Sequence, residues 1–508
     1  MISDKMQNLK FLNRKVWFFL FFLTVVLIFK GKFLNLPLFW DETSYVDNCL
    51  LVLKDNFNPF IGTVYSYRPP LIFILTALVY KIFGFSIIAS RFLMPVFGFI
   101  AVWFTFLIGE KLYDRETGFW AGLLLFSSPI FFAQSGLLLE SIPVTALTAS
   151  TIYFFIKGRK IMYVIFAALL ALVREVGVLV IIAIVGYEFL INLAKFVIPS
   201  NKSPLFYKIK ILGLKTLFYI LPLIFFLIWI ICNKLFLGWF LWPMNALILK
   251  QYGFFPEYIK MILDNAFWIH FRFLISIAIV AALLTSLFNP KIRNRFLKKE
   301  FLLFLILTSG ITFFYMWVEA VRDAYGNFAV LPRYYLFLQV LFFVFGAAAI
   351  VRMFNNKAIR TVIFAVIISL FVYSWYTPDF KWAGERNLSY RDIIEAHKEA
   401  AEFLEKHYYS AAIITTWPIY RDLTELKLGY VKKVLPEVYD INHEGVSIDK
   451  LAERIRSKKL TVTKNVILLV IPANGVPNEE MFKFLRRGNK NLLKEIDLGI
   501  EKVWIYLL

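Results

Sequence analysis

The chain has 508 residues, 60% of them hydrophobic and 19% aromatic, with a mean hydropathy of +0.68. This lies far outside the range of soluble proteins, and the apolar stretches recur at lengths that suit a bilayer, so the predicted class is a polytopic α-helical membrane protein. The formal net charge of +21 does not point to nucleic acid, because Lys and Arg gather in short segments between apolar stretches, where they set orientation. Two cysteines and four scattered histidines give no metal-ligand spacing, and Cys49 and Cys232 read as free buried thiols.

In chain order, Lys5, Lys10, Arg14 and Lys15 precede a first apolar span at 16–29 that no small-residue cleavage site follows. An uncleaved anchor with a cytoplasmic amino end is expected. Residues 69–83 are apolar but short and open on Pro69-Pro70, which suits an interfacial helix on the outer face. Further crossings are expected at 87–108, 118–132, 142–156, 161–173, 176–193, 214–232, 267–287, 301–318, 334–351 and 361–375, eleven in all with the first. On this count the basic loops near Lys111, Lys157, Lys208, 291–299 and Arg352 all fall on the cytoplasmic side, as the positive-inside rule requires.

Residues 1–377 thus read as a transmembrane domain. From Pro378 charge becomes frequent and apolar runs shrink to strand length, predicting a small extracytoplasmic α/β domain over 378–508. Helices are expected at 391–407 and near 478–487, and strands at 411–417, 466–471 and 503–508. No nucleotide loop or Gly-rich phosphate fingerprint occurs in it.

Charge is scarce near the membrane and usually has a job there. Under the predicted topology Asp41, Glu42, Arg68, Glu140, Arg174, Glu175, Glu319, Arg322, Asp323 and Arg333 all collect on the outer side. Each alone could cap a helix or make an internal ion pair. Their common placement favours a shared cavity, in which carboxylates facing guanidinium groups suit chemistry on a phosphate-linked substrate.

The order Trp40-Asp41-Glu42, Arg68-Pro69-Pro70-Leu71, Ser90-Arg91-Phe92, Glu140 and Val173-Arg174-Glu175-Val176-Gly177 resembles the membrane glycosyltransferases of the GT-C fold. It is most similar to the branch holding protein O-mannosyltransferases and lipid A aminoarabinose transferases, and Leu331-Pro332-Arg333-Tyr334-Tyr335 resembles that family's late helix start. The resemblance covers residues 10–195 well and the tail only in position. It implies an enzyme of the cell membrane that moves a sugar, with inversion, from a polyprenyl-phosphate donor to an acceptor hydroxyl of a protein, lipid or glycan on the extracytoplasmic face.

By that resemblance Asp41 is the general base, Glu42 orients the acceptor or its own helix, and Glu140 supports acceptor or donor positioning. Arg68 and Arg174 stabilise the leaving phosphate, each standing where the aminoarabinose transferases carry a cationic residue, and Arg333 is a further phosphate ligand. No cofactor or metal is implied, and the partners are the lipid-linked donor, the acceptor and membrane lipids, without nucleic acid. The competing readings are a transporter or flippase for polyprenyl-linked or other anionic lipids, and a non-catalytic membrane subunit of a glycosylation complex.

Overall fold

The computed structural model describes residues 2–60, 68–197, 218–240, 258–318, 331–377, 386–444, 447–457, 466–470, 491–499 and 502–508. Glu319, Arg322, Asp323 and the helix expected near 478–487 lie outside the described residues. Helices dominate up to Tyr373, and every described strand lies between Ala412 and Leu507.

Three described helices, Ile87–Leu112, Val176–Ala194 and Pro332–Met353, are long and apolar enough to cross a membrane. Two bent pairs raise that to five if each is one span: Ile259–Trp268 with Phe273–Phe288 at 95°, and Pro290–Phe296 with Glu300–Met316 at 69°. The expected straight crossing at 267–287 is therefore broken at its start, where His270 and Phe271 take positive φ angles of 54° and 63°. Shorter apolar helices, Val16–Lys30, Leu71–Phe83, Ser141–Ile156, Lys160–Ala171 and Leu223–Leu237, overlap the spans expected at 16–29, 142–156, 161–173 and 214–232 and the interfacial helix at 69–83, while the span expected at 118–132 is divided between Arg115–Ser127 and Pro129–Gln134.

Two of these elements set the core. The Pro332–Met353 helix is 94% buried over its apolar window, so it runs through the middle of the bundle. The helices Leu93–Leu112 and Arg115–Ser127 form a tight hairpin in which Gly109 and Gly118 meet backbone to backbone. A Cβ on Gly118 would lie 2.4 Å from the Phe106 carbonyl oxygen and 2.8 Å from the Glu110 nitrogen. Close approach through small residues is how apolar helices pack without a hydrophobic driving force.

At the turn of this hairpin Asp114 caps the second helix, accepting from the Thr117 amide at 2.8 Å, and pairs with Arg352 at 2.6 Å. Although burial opposes its charge, the Thr117 bonds and the Arg352 guanidinium hold its carboxyl below the usual carboxylate range. Glu116 pairs with Arg360 at 2.9 Å and the Tyr113 hydroxyl donates to the Phe296 carbonyl at 2.6 Å. The loops near Lys111, 291–299 and Arg352 that the charge pattern grouped on one side therefore touch one another.

The strands form one sheet in the order β2-β1-β3-β5-β4, with β1 Ala412–Thr415, β2 Val438–Asp440, β3 Val466–Val470, β4 Asn491–Asp497 and β5 Lys502–Leu507. β2, β1 and β3 run parallel, while β5 is antiparallel to both β3 and β4. β1 and β3 are buried along their whole length, as the inner strands of a parallel sheet covered on both faces must be. The strands at 411–417, 466–471 and 503–508 and the helix at 391–407 are found, the last as Tyr390–His407.

The sheet region docks on the segment before Asp41. The Leu38 amide donates to the Leu428 carbonyl at 2.9 Å, and Gly429 takes a φ of +89° with its Cβ position 2.6 Å from Ile87. The backbone angle is what favours glycine there, and a side chain would also have to displace the tip of Ile87.

The hairpin packing predicts that Gly118→Val costs about 2 kcal/mol or more, because its overlap is with backbone that cannot swing away. Thermal unfolding in detergent should show a clearly lowered midpoint, and an unchanged one would contradict the packing.

Candidate active site

The site is built around the helix Asp41–Lys54, whose first two residues point in different directions and do different things. Glu42 is fully buried against fully buried Arg91 from the helix Ile87–Arg91. Arg91 donates Nε to Glu42 Oε1 at 2.8 Å and Nη2 to Oε2 at 2.5 Å, a two-pronged pairing. Its other donors reach the carbonyls of Phe33 at 3.2 Å, Leu36 at 2.5 Å and Pro37 at 2.9 Å, so the guanidinium is saturated. Glu42 also accepts from the Phe39 amide at 2.9 Å and the Leu138 amide at 2.6 Å.

Of the two roles expected of Glu42, this geometry fits the orientation of its own helix. Its oxygens face inward, and an acceptor has no approach to a side chain that is 0% exposed. Adjacent helical residues are rotated by about 100°, so with Glu42 turned inward it is Asp41 that faces the cluster.

Asp41 is the residue that does face outward. Its side chain is 34% exposed, against 6% for Glu140. It pairs with Arg333 Nη2 at 2.6 Å across 292 residues of sequence. The residue before it, Trp40, has a φ of 46°, a region that bulky side chains seldom adopt. This sharp turn is what ends the incoming loop and starts the helix at Asp41, and the Trp40 carbonyl is held by the Thr43 hydroxyl at 2.8 Å.

Arg68 and Arg174 meet on one oxygen of Glu140. Arg68 forms an ion pair with Glu140 Oε1 and also donates to the Tyr45 hydroxyl, while Arg174 Nε lies 3.6 Å from the same Oε1. The backbone explains the convergence: the Leu71 amide, just after Arg68-Pro69-Pro70, donates to the Leu172 carbonyl at 3.0 Å, pinning one arginine's loop to the other's turn. Glu140 stands immediately before the helix Ser141–Ile156, close to the Leu138 amide that Glu42 holds.

Tyr334 joins the two halves. Arg174 stacks its guanidinium 4.1 Å from the Tyr334 ring centre and Arg333 lies 5.6 Å from it on its own chain segment. Arg333, Arg174, Arg68 and Asp41 all act electrostatically on this phenol. Five of the six residues singled out in the sequence, Asp41, Arg68, Glu140, Arg174 and Arg333, thus line one cluster, and the sixth, Glu42, braces it from behind.

Chemically, three guanidinium groups offset by two carboxylates leave the cluster with excess positive charge, which suits an anion such as a phosphate. Among the described residues no group of three or more His, Cys, Asp or Glu could hold a metal ion. Tyr45, Tyr334 and the structural role of Arg91 were not identified from sequence. Arg91 carried a signal as a charge just inside an apolar span, and both it and Tyr334 stood in the motifs that carry the resemblance.

The Glu42–Arg91 pair predicts that Glu42→Gln destabilises the protein by about 3–5 kcal/mol, because it leaves Arg91 buried without a counter-charge. A Glu42→Gln protein that unfolds in detergent at the parent temperature would contradict this.

Residues 67–229 match the family model for dolichyl-phosphate-mannose-protein mannosyltransferase. No curated protein matches in sequence. Among solved structures the chain is similar to ArnT from Cupriavidus metallidurans bound to undecaprenyl phosphate, with 12% identity, coverage of 96% of this chain and 97% of that one, and a TM-score of 0.52. The apo form of the same protein matches equally, at 12% identity over 97% of this chain and 98% of that chain with a TM-score of 0.52. Archaeal oligosaccharyltransferase AglB from Archaeoglobus fulgidus is also similar, at 12% identity over 89% of this chain and 69% of that one with a TM-score of 0.49. The resemblance read from the outer-loop motifs is therefore met twice, by a family model over residues 67–229 and by a GT-C-like fold shared with ArnT over nearly the whole chain.

Proposed function

We propose that the protein is an inverting GT-C-type glycosyltransferase that takes a sugar from a polyprenyl-phosphate donor and passes it to an acceptor hydroxyl on the extracytoplasmic face. The observation that carries this reading is the convergence of Arg68, Arg174 and Arg333 with Asp41 around Tyr334. The binding of undecaprenyl phosphate by ArnT, similar in fold along nearly its full length, supports the same donor class.

In this reaction the acceptor O–H attacks the anomeric carbon while the proton passes to Asp41. The bond from the anomeric carbon to the phosphate oxygen breaks on the opposite face, and its electron pair leaves with the polyprenyl phosphate. The leaving group departs as an anion and needs positive charge more than a proton. Arg68 and Arg174 supply that charge, with Glu140 holding the two guanidinium groups together until a phosphate replaces it on at least one of them. Asp41 is chosen as base over Glu42 and Glu140 because its carboxylate is the most exposed of the three. Arg333 keeps that carboxylate aimed and adds to the phosphate field.

Residues 378–508 are assigned to the extracytoplasmic side with Asp41, because the sheet region sits directly on the segment before that residue. A flippase for an anionic polyprenyl lipid is the second reading, favoured by the two bent helix pairs. It predicts lipid movement in vesicles without sugar transfer.

Incubating the purified protein with labelled polyprenyl-phosphate sugars and candidate acceptors separates the two. Asp41→Asn should lower turnover at least about a hundredfold while donor binding stays near normal, since it removes the base and keeps the shape. Near-normal turnover would unseat Asp41. Arg68→Ala and Arg174→Ala should each weaken donor binding by about 2–5 kcal/mol, with Lys rescuing only in part because it lacks the fork. Unchanged binding in both would remove the phosphate from this cluster.

A further inference from the structure

The helix that begins at Asp41 is gripped from the C-terminal region. Arg421, on the short helix Ile419–Thr424, donates Nη2 to Asp47 Oδ2 at 2.7 Å and Nη1 to Thr43 Oγ1 at 3.0 Å. Glu425 holds Arg421 in turn, at 2.5 Å to Nε and 2.8 Å to Nη2. Lys427 adds a second cation on Asp47 at 2.5 Å. Two cations and two carboxylates close this cluster on itself, so it is a clasp between two parts of the chain and not a site for an outside ion.

What matters is where the clasp leads. Thr43 Oγ1 accepts from Arg421, and its hydroxyl donates a hydrogen bond to the Trp40 carbonyl at 2.8 Å. Trp40 is the residue at a φ of 46° that turns the chain into Asp41. Its indole meets Trp417, from the loop just before Arg421, edge to face with ring centres 5.9 Å apart. Arg421 thus stands two hydrogen bonds from the peptide that fixes the direction of the Asp41 carboxylate, and a second contact from the same loop braces the same residue.

We propose that Arg421 is a positioning residue for sugar transfer: acting through Thr43 on the Trp40 turn, it aims Asp41 at the acceptor hydroxyl. This rests on Asp41 being the base, as read above. A turn held at an uncommon backbone angle relaxes when its external bond is lost, and a base displaced by about 1 Å can lose a hundredfold in rate. Only a planar fork reaches Thr43, Asp47 and Glu425 together, so Lys at 421 keeps the charge and loses the geometry. The C-terminal region thereby becomes part of the catalytic apparatus without touching substrate.

The test uses the full-length protein in nanodiscs with a polyprenyl-phosphate sugar donor. Arg421→Met and Thr43→Val should each lower kcat about tenfold or more with donor KM within about twofold, and Thr43→Ser should restore turnover. The Arg421→Met/Thr43→Val double variant should lose no more than the worse single one, because both cut one relay. Multiplying losses, or a folded Arg421→Met protein with normal kcat, would overturn the proposal.

Fluorine NMR of 5-fluorotryptophan protein, with the Trp40 resonance assigned by Trp40→Phe, supplies a readout independent of activity. That resonance should shift in the same direction in Arg421→Met and Thr43→Val, and a resonance that stays put in both overturns the link. If it shifts while kcat holds, the Asp41→Asn variant tells which idea has failed. An inactive Asp41→Asn protein rejects Arg421 as its positioner, and an active one rejects Asp41 as the base and this proposal with it.

Discussion

The candidate site of this protein is organised by one buried ion pair, Glu42 with Arg91. Taking both charges out of water is costly, and the pair is tolerable because each hydrogen-bonding position has a partner. Arg91 fastens the carbonyls of Phe33, Leu36 and Pro37, and Glu42 fastens the amides of Phe39 and Leu138. Through these bonds the stretch that leads into Asp41 is tied to the start of the Ile87–Leu112 helix and to the loop that carries Glu140. A cluster that has to hold three arginines near one another needs such a frame, since like charges would otherwise drive the loops apart.

On that frame the carboxylates divide their labour by exposure. Glu42 is sealed and structural, Glu140 is nearly sealed and gathers Arg68 and Arg174, and Asp41 is open enough to meet another molecule. The same chemical group serves as brace, placeholder and candidate base, and the environment decides which.

Much of this was legible in the sequence because charge beside apolar spans is rare. Asp41, Arg68, Glu140, Arg174 and Arg333 stood out for that reason and came together in space. Which of its two expected roles Glu42 takes was not legible because its partner is 49 residues away, and no periodicity in a single sequence reveals such a pairing. The break before Phe273 was missed although His270 and Arg272 interrupt the apolar run there, because the spans on either side are apolar enough to read as one crossing. In the C-terminal region the buried strands Ala412–Thr415 and Val466–Val470 showed as unbroken apolar runs. The edge strand Asn491–Asp497 did not, since most of it is exposed, it carries Lys494, Glu495 and Asp497, and a bulge between Leu492 and Lys494 interrupts its pairing. The clasp of Arg421 on Asp47 and Thr43 spans more than 370 residues of sequence and left no local trace.

We propose that Arg68 and Arg174, held by Glu140, are a phosphate site in waiting. An experimental structure of the protein with polyprenyl phosphate, for instance by electron cryomicroscopy in nanodiscs, tests it most directly. The phosphate is expected between Arg68 and Arg174, with at least one of them released from Glu140 and the Glu42–Arg91 pair unchanged. A lipid phosphate bound elsewhere, with both arginines still on Glu140, would contradict it.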